Sequence, residues 1–155
     1  MSLPDPSWTP ADAGYAERVR RSFERQAVMQ TLGITLDEVA PGRIVLGMTH
    51  QPHLVQQHGF LHAGVVSTAL DSACGYAAFS LMPADAAVLT IEFKVNLLAP
   101  ARGPRFRVEG QVVKAGRTIT VTEGRAIERG ERGERLVATM TATVMTVLGR
   151  EGIQH

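Results

Sequence analysis

From Ala63 to Leu81 the chain is so rich in alanine, valine and leucine that no polar face emerges. Such a segment reads as a helix covered on most sides by protein. Pro83 helps to end it. Nearer the start, Thr9-Pro10-Ala11-Asp12 reads as a helix opening, with Thr9 as cap and Pro10 at the first helical position. Tyr15, Val19, Phe23 and Ala27 then recur on one face, while Glu17, Arg18, Arg21 and Glu24 fall elsewhere. Ile34 to Val39 and Ile44 to Met48, joined across Pro41-Gly42, predict a strand pair. Leu89, Ile91, Phe93, Val95 and Leu97 alternate with polar residues, the period of a strand with one apolar face. Phe106, Val108 and Val112 mark the next strand, Ile119, Val121 and Ile127 another, and Leu136 to Leu148 the last. The charged run from Glu128 to Glu134 reads as a solvated hairpin tip. Helix, two strands, long helix and four hairpin-linked strands imply an α+β fold with an antiparallel sheet wrapped around the apolar helix.

Composition narrows the picture. A chain of 155 residues with 45% hydrophobic content suits one domain with a real core. Residues 9–148 are expected to form it, with tails over 1–8 and 149–155. The net charge of +1 and the lack of a basic stripe interleaved with aromatics argue against a nucleic-acid partner. No apolar run reaches spanning length, and the first residues lack the basic and apolar regions of a signal peptide. The single cysteine, Cys74, cannot form an internal disulfide, so a reducing compartment is the simpler reading. A cytoplasmic protein without a membrane partner is expected.

Two features carry chemistry. Asp71 is the only charge on the apolar helix, and a carboxylate there costs several kcal/mol unless it is paired, hydrogen-bonded or kept for reaction. The purely structural alternative is a bond to Ser67, Ser72 or a facing backbone N–H. The second feature is the helix start, where Gly59 and Gly64 flank a polar turn and the first N–H groups lack internal acceptors. Free N–H groups there suit a developing oxyanion. Ala63 and Asp71 lie eight positions apart, about 12 Å along a helix. One carbonyl cannot easily meet both on the same copy. If both act, they come from two antiparallel copies, and the pattern predicts a dimer.

Gly59-Phe60-Leu61-His62-Ala63-Gly64, Asp71 and the later Thr90-Ile91-Glu92-Phe93-Lys94-Val95-Asn96-Leu97-Leu98-Ala99-Pro100 resemble the PaaI-like acyl-CoA thioesterases of the hotdog fold, from about Gly33 to Leu148. The family more often has asparagine where Gln56 stands, and His-Gly-Gly where this chain reads His62-Ala63-Gly64. The resemblance implies hydrolysis of an acyl-CoA to free acid and CoA. The Ala63 N–H, beside Gly64 and helped by the Gln56 amide, would receive the oxyanion, with Asp71 as general base or nucleophile and Thr90 holding water. It also implies a homodimer, and a homotetramer built as a dimer of dimers. Gly116-Arg117 looks like the family's Gly-Arg turn, with Arg117 against a CoA phosphate and Lys114, Arg102 and Arg105 as weaker candidates. The acyl chain would lie along Ala73, Gly75 and Tyr76.

His62 has two readings, orienting the turn or polarising the carbonyl. His50, His53, His58 and His62 cluster in sequence but match no closed tetrahedral signature, so no metal is expected. Nor is any cofactor, coenzyme A entering only as part of the substrate. An enoyl-CoA hydratase or dehydratase could share the fold, although the proline-rich loop of such enzymes is missing. A non-catalytic acyl-CoA sensor, with Asp71 structural, is the other alternative.

Overall fold

The computed structural model describes residues 7–153. Two short helices, α1 (Tyr15–Glu24) and α2 (Ala27–Leu32), precede a strand pair, β1 (Thr35–Ala40) and β2 (Arg43–Thr49). The long helix α3 (Ala63–Phe79) follows, then β3 (Ala87–Leu97), β4 (Arg105–Ala115), β5 (Ile119–Gly130) and β6 (Gly133–Val147). The strands form one antiparallel sheet in the order β1-β2-β4-β5-β6-β3. It curls around α3, which lies against β2 through β6. This is the hotdog arrangement. Ala69, Leu70, Ala73, Cys74, Ala77 and Phe79 are all fully buried, so packing rather than amphipathicity holds α3 in place. Among the described residues no helix is long and apolar enough to cross a membrane.

How closely helix and sheet approach is decided by two glycines. Gly110 of β4 pairs with Gly124 of β5 under the middle of α3. A Cβ on Gly110 would stand 2.3 Å from the Ala73 backbone, and one on Gly124 would stand 2.9 Å from Cys74 Sγ. The inward face of β5 is correspondingly slim, with Thr120, Thr122, Gly124 and Ala126 buried. Ile119, which helped to mark this strand in the sequence, is exposed.

Two expectations change. The first helix does not open at Thr9 and Pro10; it begins at Tyr15, with Gly14 at the cap position and no side-chain cap. The reason is Asp12, whose carboxylate accepts the Gly14 N–H at 2.9 Å and the Arg18 guanidinium at 2.9 Å, turning the chain before the helix can start. Those two bonds hold the Asp12 carboxyl below its usual value. Nor does the apolar face run on to Ala27 in one helix, because the chain breaks at Arg25 and Gln26 and Ala27 opens α2. Of the expected tail over residues 1–8, residues 1–6 lie outside the described residues, as do 154–155 of the expected C-terminal tail. Trp8 packs over Gly42, where φ is +71°.

The strand at Ala87–Leu97 forms where the alternation puts it, yet its apolar face is open. Ile91 is 52% exposed and Leu97 55%. Among the described residues β3 is an edge strand with β6 alone beside it, and a bulge between Thr90 and Glu92 shifts its register. Of this strand Ala87 is buried, and Val88 and Val95 reach the core as partly buried side chains.

Candidate active site

The start of α3 is held by a small pinned loop. Gly59, at φ +81°, turns the chain, and its carbonyl meets His50 Nε2 at 3.0 Å. Gln56 N–H donates to Phe60 O at 2.8 Å, Leu61 N–H to Ala101 O at 2.9 Å and His62 N–H to Leu54 O at 3.0 Å. His62 is the N-cap, its Nδ1 accepting the Gly64 N–H at 2.9 Å. Of its two readings the geometry supplies the orienting one, and leaves Nε2 as the protonated nitrogen of the neutral ring. Val65 and Val66 return their N–H groups to His62 O. Among the described residues the Ala63 N–H meets no acceptor. It faces a cavity of about 380 Å³ whose lining includes Gln56, Phe60, Val66, Leu97 and Pro100. Gln56 is bent back, its Oε1 accepting the His58 N–H. That bond uses the acceptor of the longer side chain and leaves its amide nitrogen as a second donor.

Asp71 lies two turns further along, on the side of α3 that meets β3. Its Oδ1 accepts the Thr90 hydroxyl at 2.8 Å, and Oδ2 has no partner among the described residues. Neither Ser67 nor Ser72 bonds it. Ser67 Oγ donates to Ala63 O at 2.8 Å, and Ser72 Oγ donates to Gln26 Oε1 at 3.3 Å. Burial pushes the Asp71 carboxyl above its ordinary value of 3.8, and the Thr90 bond pulls part of the way back. A half-buried acid raised by desolvation is shaped for proton transfer. It lines a second cavity of about 250 Å³, with Gln26, Gly75, Tyr76, Leu89 and Thr90.

The two cavities share no residue. Gln56, His62 and Ala63 are brought together at one end of α3, and Asp71, Thr90, Gly75 and Tyr76 at its middle, as the eight-residue spacing requires. Gly75 opens onto space, with nothing within 4 Å of a Cβ placed there. The Tyr76 hydroxyl is shared with Ser22 Oγ at 3.0 Å, and burial raises its pKa, with the Ser22 bond opposing. Ala73 does not join them, because it is fully buried against Gly110 on the sheet side. Gln26 was not legible as a site residue. It comes from the break between α1 and α2, and nothing in its local sequence signals the contact.

Gly116 and Arg117 form the tight β4–β5 turn, where a Gly116 Cβ would stand 2.3 Å from Ile119 O. Across the sheet Ile119 is level with Met145 and Met145 with Leu89, so the turn sits at the Asp71 end. Arg117 and Lys114 are exposed there. Arg102 instead stacks 4.7 Å from the Phe60 ring, beside the Ala63 cavity. Arg105 lines a larger groove of about 500 Å³ elsewhere on the sheet, and another of about 480 Å³ runs past Arg43 and Arg125. Neither groove contains the acid or the helix start, so size does not mark the reactive site. No group of three or more His, Cys, Asp or Glu capable of holding a metal occurs among the described residues. Cys74 is buried and its thiol is pushed up to about 12, mainly by desolvation, which makes it inert.

Comparison with known proteins places this geometry in a family. Residues 58–134 match the thioesterase superfamily. A solved thioesterase family protein from Silicibacter pomeroyi is 60% identical, with 88% of this chain and 100% of that one covered and a TM-score of 0.86. The medium/long-chain acyl-CoA thioesterase YigI of Salmonella typhimurium is 27% identical over 131 residues, covering 75% of this chain and 83% of that one. The PaaI protein of the E. coli phenylacetic acid degradation operon shares the fold at a TM-score of 0.80 and 19% identity, covering 90% of this chain and 97% of that one. This chain belongs to the thioesterase superfamily, as a thioester hydrolase of the PaaI-like hotdog type.

Proposed function

We propose that the protein hydrolyses an acyl-CoA to free acid and CoA at a site shared between two copies, with Asp71 of one and the Ala63 N–H of the other. The observation that carries this reading is the layout of β3. Its Val88–Thr90 end lines the Asp71 cavity and its Leu97 end lines the Ala63 cavity. Among the described residues no other strand pairs with its outer edge, and Leu89, Ile91, Phe93 and Leu97 are exposed. Antiparallel pairing of this edge with its own copy covers those side chains. The same pairing brings each Ala63 cavity to the other copy's Asp71.

In the reaction Asp71 takes a proton from water as the water oxygen adds to the thioester carbon. Negative charge grows on the carbonyl oxygen, where the fixed Ala63 N–H, with the Gln56 amide beside it, contributes about 3 kcal/mol. Collapse expels the CoA thiolate, which takes a proton back. Direct attack by Asp71, giving an anhydride that water then opens, uses the same two groups. Thr90 holds the carboxylate in either route. Arg117, on the exposed turn at the Asp71 end, is the proposed partner for a phosphate of the nucleotide. The acyl-CoA substrate is also what YigI is named for. A homotetramer and a cytoplasmic setting complete the reading.

The test is free-thiol release from a panel of short, medium, long and aromatic acyl-CoAs, with Asp71→Asn alongside. Turnover is expected to fall about a thousandfold in the variant while the fold and assembly persist. Near-normal turnover in a folded Asn variant removes Asp71 from the chemistry. Binding without release from any ester would reduce the protein to a sensor.

A further inference from the structure

The charged run from Glu128 to Glu134 is not all solvated tip, because its first member turns onto a neighbouring loop. Glu128 is level with Arg135 on one rung of the β5–β6 pair, and its side chain is only 14% exposed. Its Oε2 accepts the backbone N–H groups of Arg102 and Gly103 at 2.8 and 3.3 Å. Its Oε1 accepts the Arg135 guanidinium at 3.1 Å, and the same Nη2 donates to Pro100 O at 2.8 Å. Burial acts to raise the Glu128 carboxyl, but the two N–H groups and Arg135 hold it below its usual value, so it meets the loop as a carboxylate. Hydrogen bonds to an ionised group are the shorter and stronger kind. One cross-strand pair thus fixes three peptide groups of the 98–104 segment, which supplies Leu98, Ala99, Pro100 and Ala101 to the cavity in front of the Ala63 N–H.

From this segment two contacts reach the turn that presents that N–H. Ala101 O accepts the Leu61 N–H at 2.9 Å. Pro104 O accepts the His50 N–H at 2.9 Å, and a Cβ on Gly103 would stand 2.6 Å from His50 Cβ, so the histidine is seated against this stretch. A carbonyl carries no proton, and His50 Nε2 is therefore the donor to Gly59 O at 3.0 Å. Gly59 and Leu61 stand just ahead of Ala63 in the chain. The turn is made locally, yet it is braced from outside. A donor serves an oxyanion only from about 2.7–3.1 Å, and about 1 Å of misplacement costs about a hundredfold.

We infer that Glu128 is a positioning residue for the oxyanion half of the site, its carboxylate fixing the 98–104 segment and, through Ala101 and His50, the turn that presents the Ala63 N–H. The inference rests on the reading that this N–H receives the thioester oxygen. Glu128 itself lines neither cavity.

The experiment measures kcat and KM by thiol release from whichever ester of the short, medium, long and aromatic acyl-CoA panel the intact protein turns over fastest. The variants are Glu128→Gln, alone and on Ala63→Pro, together with His50→Leu and His50→Gln. Glutamine at 128 keeps the shape but offers its one oxygen to the loop or to Arg135, not to both. Its kcat is expected to fall about tenfold with KM little changed, because the charge that the donor meets develops only in the transition state. On Ala63→Pro the same substitution should cost nothing further, since the donor it positions is already gone. A variant that merely loosened the fold would lose activity whatever stood at position 63. His50→Leu should show the same fall, and His50→Gln, which keeps a side-chain N–H donor, should recover most of it. Unchanged kcat in a folded Glu128→Gln protein, or a fall repeated in full on Ala63→Pro, overturns the inference and leaves the hydrolytic reading standing. Should Glu128→Gln fail to fold, equal kcat in His50→Leu and the intact protein overturns it. Full activity in Ala63→Pro, or no thiol release from any ester by the intact protein, overturns it together with the reading beneath it.

Discussion

The two halves of the site are built by opposite means. At the start of α3 the working group is a backbone N–H, and nearly everything that presents it is local: the Gly59 turn, the Gln56–Phe60 pairing and the His62 cap. At the middle of α3 the working group is a side chain, and everything that tunes it is distant in sequence. Thr90 comes from β3 and Gln26 from the elbow between the first two helices. A donor made by the backbone is indifferent to which side chain occupies position 63, provided that the N–H remains. The acid depends on two other elements of the fold for its proton affinity and its surroundings.

That contrast can be broken at each half. Ala63→Pro deletes the donor at the one helical position where proline is at home, and His62 already has the ψ of 139° that a residue before proline adopts. The helix should survive, with thermal melting little changed, while kcat falls about a hundredfold to a thousandfold. Mixing this variant with Asp71→Asn, each inactive alone, should restore about a quarter of wild-type activity, because half the dimers are mixed and each mixed dimer holds one intact shared site. No recovery after subunit exchange would mean that a single copy does the chemistry.

Thr90→Val should lower kcat about tenfold, the cost of one hydrogen bond to a charged group. It should also displace the pH profile. The Thr90 bond lowers an Asp71 pKa that burial raises, so removing the bond raises it further. The base form is then lost at a higher pH as acid is added, and the acidic limb of kcat/KM moves to higher pH. A limb that stays in place would assign the titration to another group. The smallest effect is expected from Arg117→Ala, which should raise KM for CoA esters several-fold with kcat less affected, the difference shrinking in high salt. An unchanged KM would make Arg117 a bystander.

Legibility in the sequence followed the same division. The apolar segment behind Asp71, the strand alternations and the glycine turn before Ala63 are local patterns, and each became the element expected of it. The separation of Ala63 from Asp71 needed only the rise of a helix. What local pattern could not convey was which face each strand would bury. In β3 the strongest alternation in the chain marks a face that remains open on one copy, because β3 falls at the edge of the sheet. In β5 the inward positions are threonine, glycine and alanine, chosen by the nearness of α3 rather than by hydrophobicity. The Thr9-Pro10 opening failed because Asp12 found Gly14 and Arg18, and Gln26 entered the site through a tertiary contact alone.

The Gly110–Gly124 rung works as a depth gauge. It sets how far the helix sinks toward the sheet, and hence how deeply the Asp71 carboxylate sits and how it lines up with the Thr90 hydroxyl. A methyl added at Gly110 meets the helix backbone itself and should lift the helix, a lift expected to be felt as a change in hydration of the acid. A substitution in the sheet, outside the cavity that holds the acid, would thus be read out as acidity.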